Sequence, residues 1–315
     1  MPPGLVAGVD VGGTKTHLRI SRDGAVLVDR VVPTTDWRQR DNPKDAGALL
    51  ALVTEGADPV DAIGVGAHGC DTSEDCTAFE RALTALTPSR VRVVNDAELL
   101  VPAVGLREGI GVIAGTGSIA VARRADGTML VAGGWGWILG DEGSAPGLVR
   151  EAARAVRNAI DVGVDDEADC LYELLRRSIG AASFAEFGRE LTRHRDASAW
   201  GRHARAVFDA AAAGSQLAAQ VVHDAARALV VLVERLAARG APSHEVVVSG
   251  GVMVGQPVLQ DLFRQELGSR LPEARLSILT EPPVAGAVSL ATRLLEPASE
   301  AGAHGPAPSS AQGRS

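Results

Sequence analysis

The chain has 315 residues, enough for two domains of ordinary size, each with its own core. Apolar residues make up 46 % and glycine is abundant at 36, which fits a globular α/β protein and excludes a disordered chain. A net charge of −8 without a basic stripe, and only ten aromatic residues, argue against nucleic acid or an anionic membrane surface as partner, while small phosphate-bearing ligands stay open.

In chain order, strands are expected at 5–9, 16–21 and 25–32, a helix at 44–55, a strand at 62–66, a helix at 73–86, a strand at 90–94 and a helix at 97–105. The second half opens with three more strands. Helices follow at 146–160, 166–179, 183–194, 198–213 and 215–239, then strand 245–249, helix 256–267, strand 275–279 and helix 285–295. This βββαβαβα order in duplicate predicts mixed sheets with helices on both faces. About 90 Ala- and Leu-rich helical residues before Glu245 read as scaffold and dimer surface, and a homodimer is expected. From Glu296 the composition turns to Ala, Gly, Ser and Pro, a disordered tail. The apolar run at 221–236 is interrupted by His223, Asp224, Arg227 and Glu234, so no membrane span is expected. Met1-Pro2-Pro3-Gly4 leads directly into the first strand, and a soluble cytoplasmic protein is expected. Cys70, Cys76 and Cys170 form no CxxC, which makes a disulfide framework or structural zinc improbable.

The two halves begin with the same segment. GVDVGGTKTHLRISRDGAVLV, from Gly8, aligns without a gap on GVIAGTGSIAVARRADGTMLV, from Gly111, at a constant offset of 103. Each copy reads strand, Gly/Thr-rich turn, strand, Asp-Gly turn, strand. Both residues of the Asp-Gly pairs, Asp23-Gly24 and Asp126-Gly127, are expected at positive φ. Two facing glycine loops suggest a nucleotide held in a cleft.

Several segments carry chemistry. In Asp10-Val11-Gly12-Gly13-Thr14-Lys15-Thr16 the glycines let the backbone approach a phosphate, and Thr14 and Lys15 add donors. The stretch nearly matches a P-loop, but the spacing to Lys15 is one residue too long and a strand follows in place of a helix. Asp10, ending a buried strand, needs a partner, and a magnesium-bound water is a natural one. Gly115-Thr116-Gly117-Ser118 holds the matching place in the second half, as an anion nest or an ordinary turn. Asp96, in Asn95-Asp96-Ala97-Glu98, reads either as a helix N-cap or as a general base at the carboxyl edge of the sheet. The stretch 133–144 combines glycines, Trp135, Trp137, Asp141, Glu142 and Ser144 before a helix. It suits a sugar, or is a glycine-rich turn in which Asp141 or Ser144 caps the helix. Val246-Val247-Val248-Ser249-Gly250-Gly251 is a buried strand ending where a flat adenine could approach the backbone. His68 and Cys70 read as structural, and the loop holding Asp36 and Trp37 as a substrate cover or plain surface.

The order of these segments resembles the actin-like ATPase superfamily of sugar kinases, actin and Hsp70, through two phosphate motifs (10–16 and 113–118), a connecting motif (95–98) and an adenosine motif (246–251). Within it, GTGS followed by GGWG and GDEGS resembles the N-acetylglucosamine kinase branch, the BadF/BadG/BcrA/BcrD ATPase family, over residues 5–295. The resemblance implies a duplicated actin-like ATPase (ribonuclease H-like) α/β fold. A small domain would comprise 1–107 with about 285–296, and a large one 108–284 with a helical insertion at about 146–240, before a disordered tail at 297–315. It implies ATP and Mg²⁺ as cofactors. Gly12, Gly13, Thr14, Lys15, Thr116 and Gly117 would bind the phosphates, Gly250 and Gly251 the adenosine, and Asp10 the magnesium through water. Asp96 would accept the proton of the 6-hydroxyl of a small-molecule sugar, N-acetylglucosamine. The substrate would also meet Asp36, Trp37, Asn95, Gly117, Ser118, Gly134 and Asp141. Asp36 stands where relatives commonly carry Asn, which brings glucosamine into view as the alternative substrate. The zinc motif of ROK sugar kinases is missing. So are the cluster cysteines of the dehydratase activator ATPases, the rival of another class beside a non-catalytic sensor.

Overall fold

The repeated segment folds twice into the same three-stranded unit. In a computed structural model, which describes residues 4–55, 58–163, 169–193 and 196–297, β1 (Leu5–Val11), β2 (Lys15–Arg22) and β3 (Ala25–Pro33) form an antiparallel meander. A 3₁₀ turn at Thr34–Asp36, α1 (Asn42–Thr54), β4 (Ala62–Ala67), α2 (Ser73–Thr84) and β5 (Arg90–Val94) complete the first half. β4 and β5 add in parallel to β1, giving the order β3-β2-β1-β4-β5. A 3₁₀ turn at Asp96–Leu99 and α3 (Leu100–Ala103) lead into the second half.

There β6 (Ile110–Ala114), β7 (Ser118–Arg123) and β8 (Met129–Gly133) repeat the meander. Then come α4 (Ala145–Asp161), α5 (Cys170–Ile179), α6 (Phe184–Arg193), α7 (Ala197–Gly201), α8 (Ala204–Ala212) and α9 (Gln216–Ala238). β9 (Glu245–Ser249), α10 (Gly251–Gly255), α11 (Pro257–Arg270), β10 (Arg275–Ile278) and α12 (Val284–Leu295) close the chain. The second sheet runs β8-β7-β6-β9-β10, the same topology as the first. The offset of 103 persists in three dimensions: β1 ends at Val11 and β6 at Ala114, while β2 begins at Lys15 and β7 at Ser118.

The central strands β1, β4, β6 and β9 are buried along nearly their whole length, as strands covered on both faces must be. α12 leaves the second half to pack on β1 and β4 of the first. α9 is long and apolar enough to cross a membrane by length and composition. Here it is the core helix of the second half, with Leu229, Val230, Val233 and Leu236 buried against the sheet and its neighbouring helices.

Several expected elements came out differently, each for a local reason. The helix expected at 97–105 is a 3₁₀ turn followed by one short α-turn. Pro102 cannot donate to the carbonyl of Glu98, so an α-helix cannot start there. The helix expected at 198–213 is two, α7 and α8, separated at Arg202-His203. α11 is divided from α10 at Gln256, held extended (φ −130°, ψ 90°) by the proline after it. Asp23 and Gly24 both take positive φ, whereas in the second copy only Gly127 does. That loop is longer, Arg124 to Thr128, and the Asp126 carboxylate instead accepts the Thr128 N–H at 2.8 Å. Residues 166–168 of the helix expected from 166, His194 at the end of the one expected at 183–194, and all but the first residue of the tail expected from 297 lie outside the described residues.

Candidate active site

The first glycine loop joins β1 to β2, where the Gly12 N–H donates to the Lys15 carbonyl at 2.9 Å and Gly13, Thr14 and Lys15 face outward. A polar pillar holds it from below. The Trp37 indole N–H donates to Thr16 Oγ1 at 3.0 Å, Thr16 Oγ1 meets Thr34 Oγ1 at 2.9 Å, and Thr34 Oγ1 donates to the Gly12 carbonyl at 2.9 Å. Trp37 is 8 % exposed and its single donor is spent on this pillar, so the structure places it under the loop. Asp36, one residue before, is exposed, and its Oδ1 lies 3.4 Å from the hydroxyl of its neighbour Thr35.

Two carboxylates converge beside the loop. The Asp10 carboxylate accepts no hydrogen bond among the described residues. Burial, and then the negative charge of Asp96, push its pKa from 3.8 up to about 7, against the opposing pull of Lys15. Asp96 opens the 3₁₀ turn after β5, but it is not the cap. Asn95 Oδ1 accepts the Ala97 N–H at 3.0 Å, and Glu98 accepts the Asn95 N–H at 3.1 Å. Asp96 Oδ1 takes a secondary hydrogen bond from Ala97 N at 3.1 Å, while Oδ2 faces His68 Nδ1 at 3.6 Å. The Asp96 carboxylate holds the His68 imidazole pKa above its usual value despite partial burial. His68, read from sequence as structural, thus sits between Asp96 and the first glycine loop, its ring 3.5 Å from where a Gly13 Cβ would project. Asn95, 0 % exposed, also donates to the Cys70 carbonyl (3.2 Å) and to Asp71 Oδ1 (3.1 Å). Its side chain is engaged in holding the turn.

The Asp10 environment makes a pH prediction for the metal-free protein. Unfolded, this carboxyl ionises near 3.8; folded, it keeps its proton to about pH 7. The folded state binds the proton more tightly, so the contribution to stability is full below about pH 4 and is lost as pH rises through about 7. Asp10→Asn, neutral throughout, is expected to match wild type near about pH 4 and to be the more stable by on the order of 3 kcal/mol at about pH 8. Thermal denaturation of both proteins across that range tests it, and a pH-independent difference would refute it.

In the second half, the Gly115 N–H donates to the Gly117 carbonyl at 2.9 Å, closing a tight turn between β6 and β7. Ser118 Oγ donates to the Glu142 carbonyl at 2.8 Å, and the Ser118 carbonyl accepts the Gly134 N–H at 2.9 Å, so the segments around Gly134 and Glu142 both hang on this residue. Ser144, not Asp141, caps α4 through the Gly147 N–H at 3.1 Å. Asp141 is therefore free of that duty. It is 7 % exposed, adopts a left-handed φ of +55°, and presses its carboxylate against Gly117, 3.2 Å from where a Cβ would stand. Burial raises its pKa, partly offset by the Ser118 amide. A strained, nearly buried carboxylate beside a glycine turn is the kind of outlier that binding sites retain.

Gly250, at φ +104°, ends β9 so close to β6 that a Cβ would fall 2.4 Å from the Ala114 carbonyl oxygen. Gly115, Thr116 and Gly251 share a cavity of about 310 Å³ with Ser198, Gly201 and Arg202 of the α7 region. Those last three escaped the sequence reading, because nothing in a helical insertion some 80 residues away marks which turn reaches back to the loop. Gly134 is exposed and Trp135 is 75 % exposed, whereas Trp137 tilts against Trp200 with ring centroids 5.0 Å apart. The structure therefore groups the predicted residues into two clusters, one around Asp10, Lys15 and Asp96, the other around Gly117, Ser118, Asp141 and Gly250. Between them the Asp96 turn and β7 are joined by Glu98 and Arg123, bidentate at 2.8 and 2.9 Å.

Residues 7–289 match the BadF/BadG/BcrA/BcrD ATPase family. A curated N-acetylmuramic acid/N-acetylglucosamine kinase of Clostridium acetobutylicum is 30 % identical over 302 residues, 91 % of this chain and 97 % of that protein. An N-acetyl-D-glucosamine kinase of Dictyostelium discoideum is 24 % identical, with the same coverage. Among solved structures, a candidate N-acetylglucosamine kinase from Chromobacterium violaceum superposes with a TM-score of 0.67 at 25 % identity, over 91 % of this chain and 99 % of that one. A ROK glucokinase from Streptomyces griseus, solved with glucose and AMPPNP, shares the fold, with a TM-score of 0.58 at 20 % identity over 92 % of this chain and 100 % of that one.

Proposed function

Because this chain belongs to the BadF/BadG/BcrA/BcrD ATPase family, we propose that it transfers the γ-phosphoryl group of ATP to the 6-hydroxyl of N-acetylglucosamine, giving the 6-phosphate and ADP. The observation that carries the reading is the pair Asp10 and Asp96. Both carboxylates stand free of ion pairs with Lys or Arg among the described residues, beside one of two symmetry-related glycine loops. A sensor needs no such base, and an activator ATPase would have no use for an acceptor pocket around Asp141.

Asp96 is the general base. Its Oδ1 is fixed by the Ala97 amide and its Oδ2 is left to take the hydroxyl proton as the oxygen attacks phosphorus in line. His68 beside Oδ2 orients the carboxylate. The amides of Gly13, Thr116 and Gly117, with Lys15 and Thr14, would hold the transferring phosphates, and Gly12, whose N–H closes the loop on the Lys15 carbonyl, shapes that cradle. The cavity at Gly251 and Arg202 takes the adenosine, and Asp141, Ser118 and Gly134 meet the sugar. Asp10, a half-buried carboxylate that accepts no hydrogen bond among the described residues, suits a magnesium-bound water. The ion would neutralise phosphate charge as it develops. In this reading the small domain is 1–107 with 285–296, the large one 108–284, and the enzyme works as a cytoplasmic homodimer.

Coupled ADP release with Mg·ATP and a panel of N-acetylglucosamine, glucosamine, N-acetylmannosamine, N-acetylmuramic acid and glucose tests the proposal. The highest kcat/KM is expected for N-acetylglucosamine. A preference for glucosamine would keep the mechanism and move the substrate, with Asp36 the first residue to exchange for Asn. ADP release indifferent to every sugar would overturn the kinase reading.

A further inference from the structure

Away from the glycine loops, where β5, β7, α12 and the connection between the halves meet, lies a second cavity of about 270 Å³. Five arginines line it: Arg92 on β5, Arg107 in the connection, Arg123 ending β7, Arg124 just after it, and Arg293 on α12. The acidic lining is only Glu98 and Glu108, and Glu98 is already engaged by Arg123. Arg293 forms no ion pair among the described residues; its Nη2 donates to the Leu106 carbonyl at 2.7 Å. Burial, and then the charge of Arg107, hold its pKa below the usual value. Arg107 pairs with Glu296 at the exposed rim, and Arg92 and Arg124 reach carboxylates only at 3.8 and 3.9 Å. Guanidinium groups from both halves are thus gathered in one concave space, where four pair with carboxylates, two of them at 3.8 and 3.9 Å, and Arg293 with none among the described residues. An anion bound there relieves their mutual repulsion, and the planar fork of Arg matches phosphate oxygens two at a time.

We propose that this cavity binds the phosphate group of a small molecule, free phosphate or a sugar phosphate, at a site separate from the catalytic cleft. Ser118 begins β7 at the cleft and Arg123 ends it at the cavity, about 17 Å away, farther than one hexose phosphate reaches. The chain's net charge of −8 disfavours long polyanions, so the small concave site selects compact ones. The site is also wired to the chemistry. A phosphate that competes for Arg123 draws it from Glu98, and Glu98 holds the amide of Asn95, the residue before Asp96. Occupancy therefore loosens the turn that carries the base and slows turnover.

The test is calorimetric titration of a hexose 6-phosphate, and separately of inorganic phosphate, into the full chain with both sides of its cleft filled by saturating Mg·ADP and N-acetylglucosamine. One equivalent is expected to bind wild type. Arg293→Gln and Arg107→Gln each weaken it about tenfold or more, while Arg81→Gln on α2 leaves it unchanged. Arg124→Gln, in an exposed turn, is a second reporter should the Arg293 variant fold poorly. Tighter binding of the hexose phosphate identifies a sugar phosphate as the occupant, and equal or tighter binding of inorganic phosphate identifies free phosphate. No saturable binding to wild type, or one affinity across all variants, would overturn the site.

Discussion

Asp96→Asn is expected to fold as wild type does, bind sugar and nucleotide with near-normal affinity, and lose kcat by about a thousandfold or more. The substitution is chosen because it separates the two roles open to this residue. Were Asp96 a helix cap, its loss would appear in stability, but Asn95 already caps the turn, with Oδ1 on the Ala97 amide and both Nδ2 protons engaged. An asparagine at 96 keeps an oxygen for the secondary bond to Ala97 and removes only the ability to take a proton. Steady-state kinetics with unfolding midpoints for both proteins decide the matter. A kcat within about tenfold of wild type would remove Asp96 as the base. A lowered midpoint with kcat intact would return it to the bland role.

The parts of this architecture legible in the sequence are those where backbone chemistry leaves few options. Paired glycines after an apolar strand, and an Asp-Gly before the next, can only be turns between strands, and their recurrence at one offset carried the duplication. Side-chain duties were less legible, because neighbouring residues of one chemical type compete for the same task. By residue type Asn95 or Asp96 could cap the turn, and Asp141 or Ser144 could cap α4; only the hydrogen bonds reveal that Asn95 and Ser144 do so, releasing the two aspartates. An aromatic residue in a loop reads alike whether it meets a ligand or pins the loop from beneath. Trp37 spends its indole N–H on Thr16, a contact across 21 residues that no local pattern encodes. Pro102 did announce the break in the 97–105 helix, yet apolar periodicity through Leu99, Leu100 and Val101 outweighs it on the page. His68 illustrates the limit most directly. Its place beside Asp96 follows from β4 and β5 lying parallel, which brings the residue after one strand to the residue after the next.

Gly286→Ala is expected to destabilise the protein by about 3 kcal/mol or more and to lower kcat as well, although residue 286 is not one of the candidate site residues. A Cβ at this position of α12 would stand 1.9 Å from the Leu99 carbonyl oxygen and 2.8 Å from its carbon, backbone atoms that cannot rotate away. From the other side, β6 approaches the same turn at Gly111, where a Cβ would lie 2.4 Å from the Ala97 carbonyl oxygen. The turn carrying Asp96 is therefore clamped between backbone surfaces of the two halves, and α12 must retreat if Gly286 gains a methyl group. Gly268, in α11 with nothing within 4 Å, is the control: Gly268→Ala should raise stability by about 0.5–1 kcal/mol through helix propensity alone. Urea unfolding of the two variants separates close packing from general glycine effects. If both move stability in the same direction, the backbone contact between α12 and the Asp96 turn is not what fixes Asp96. If they diverge and kcat falls only with Gly286→Ala, the position of Asp96 depends on how closely the last helix packs against its turn.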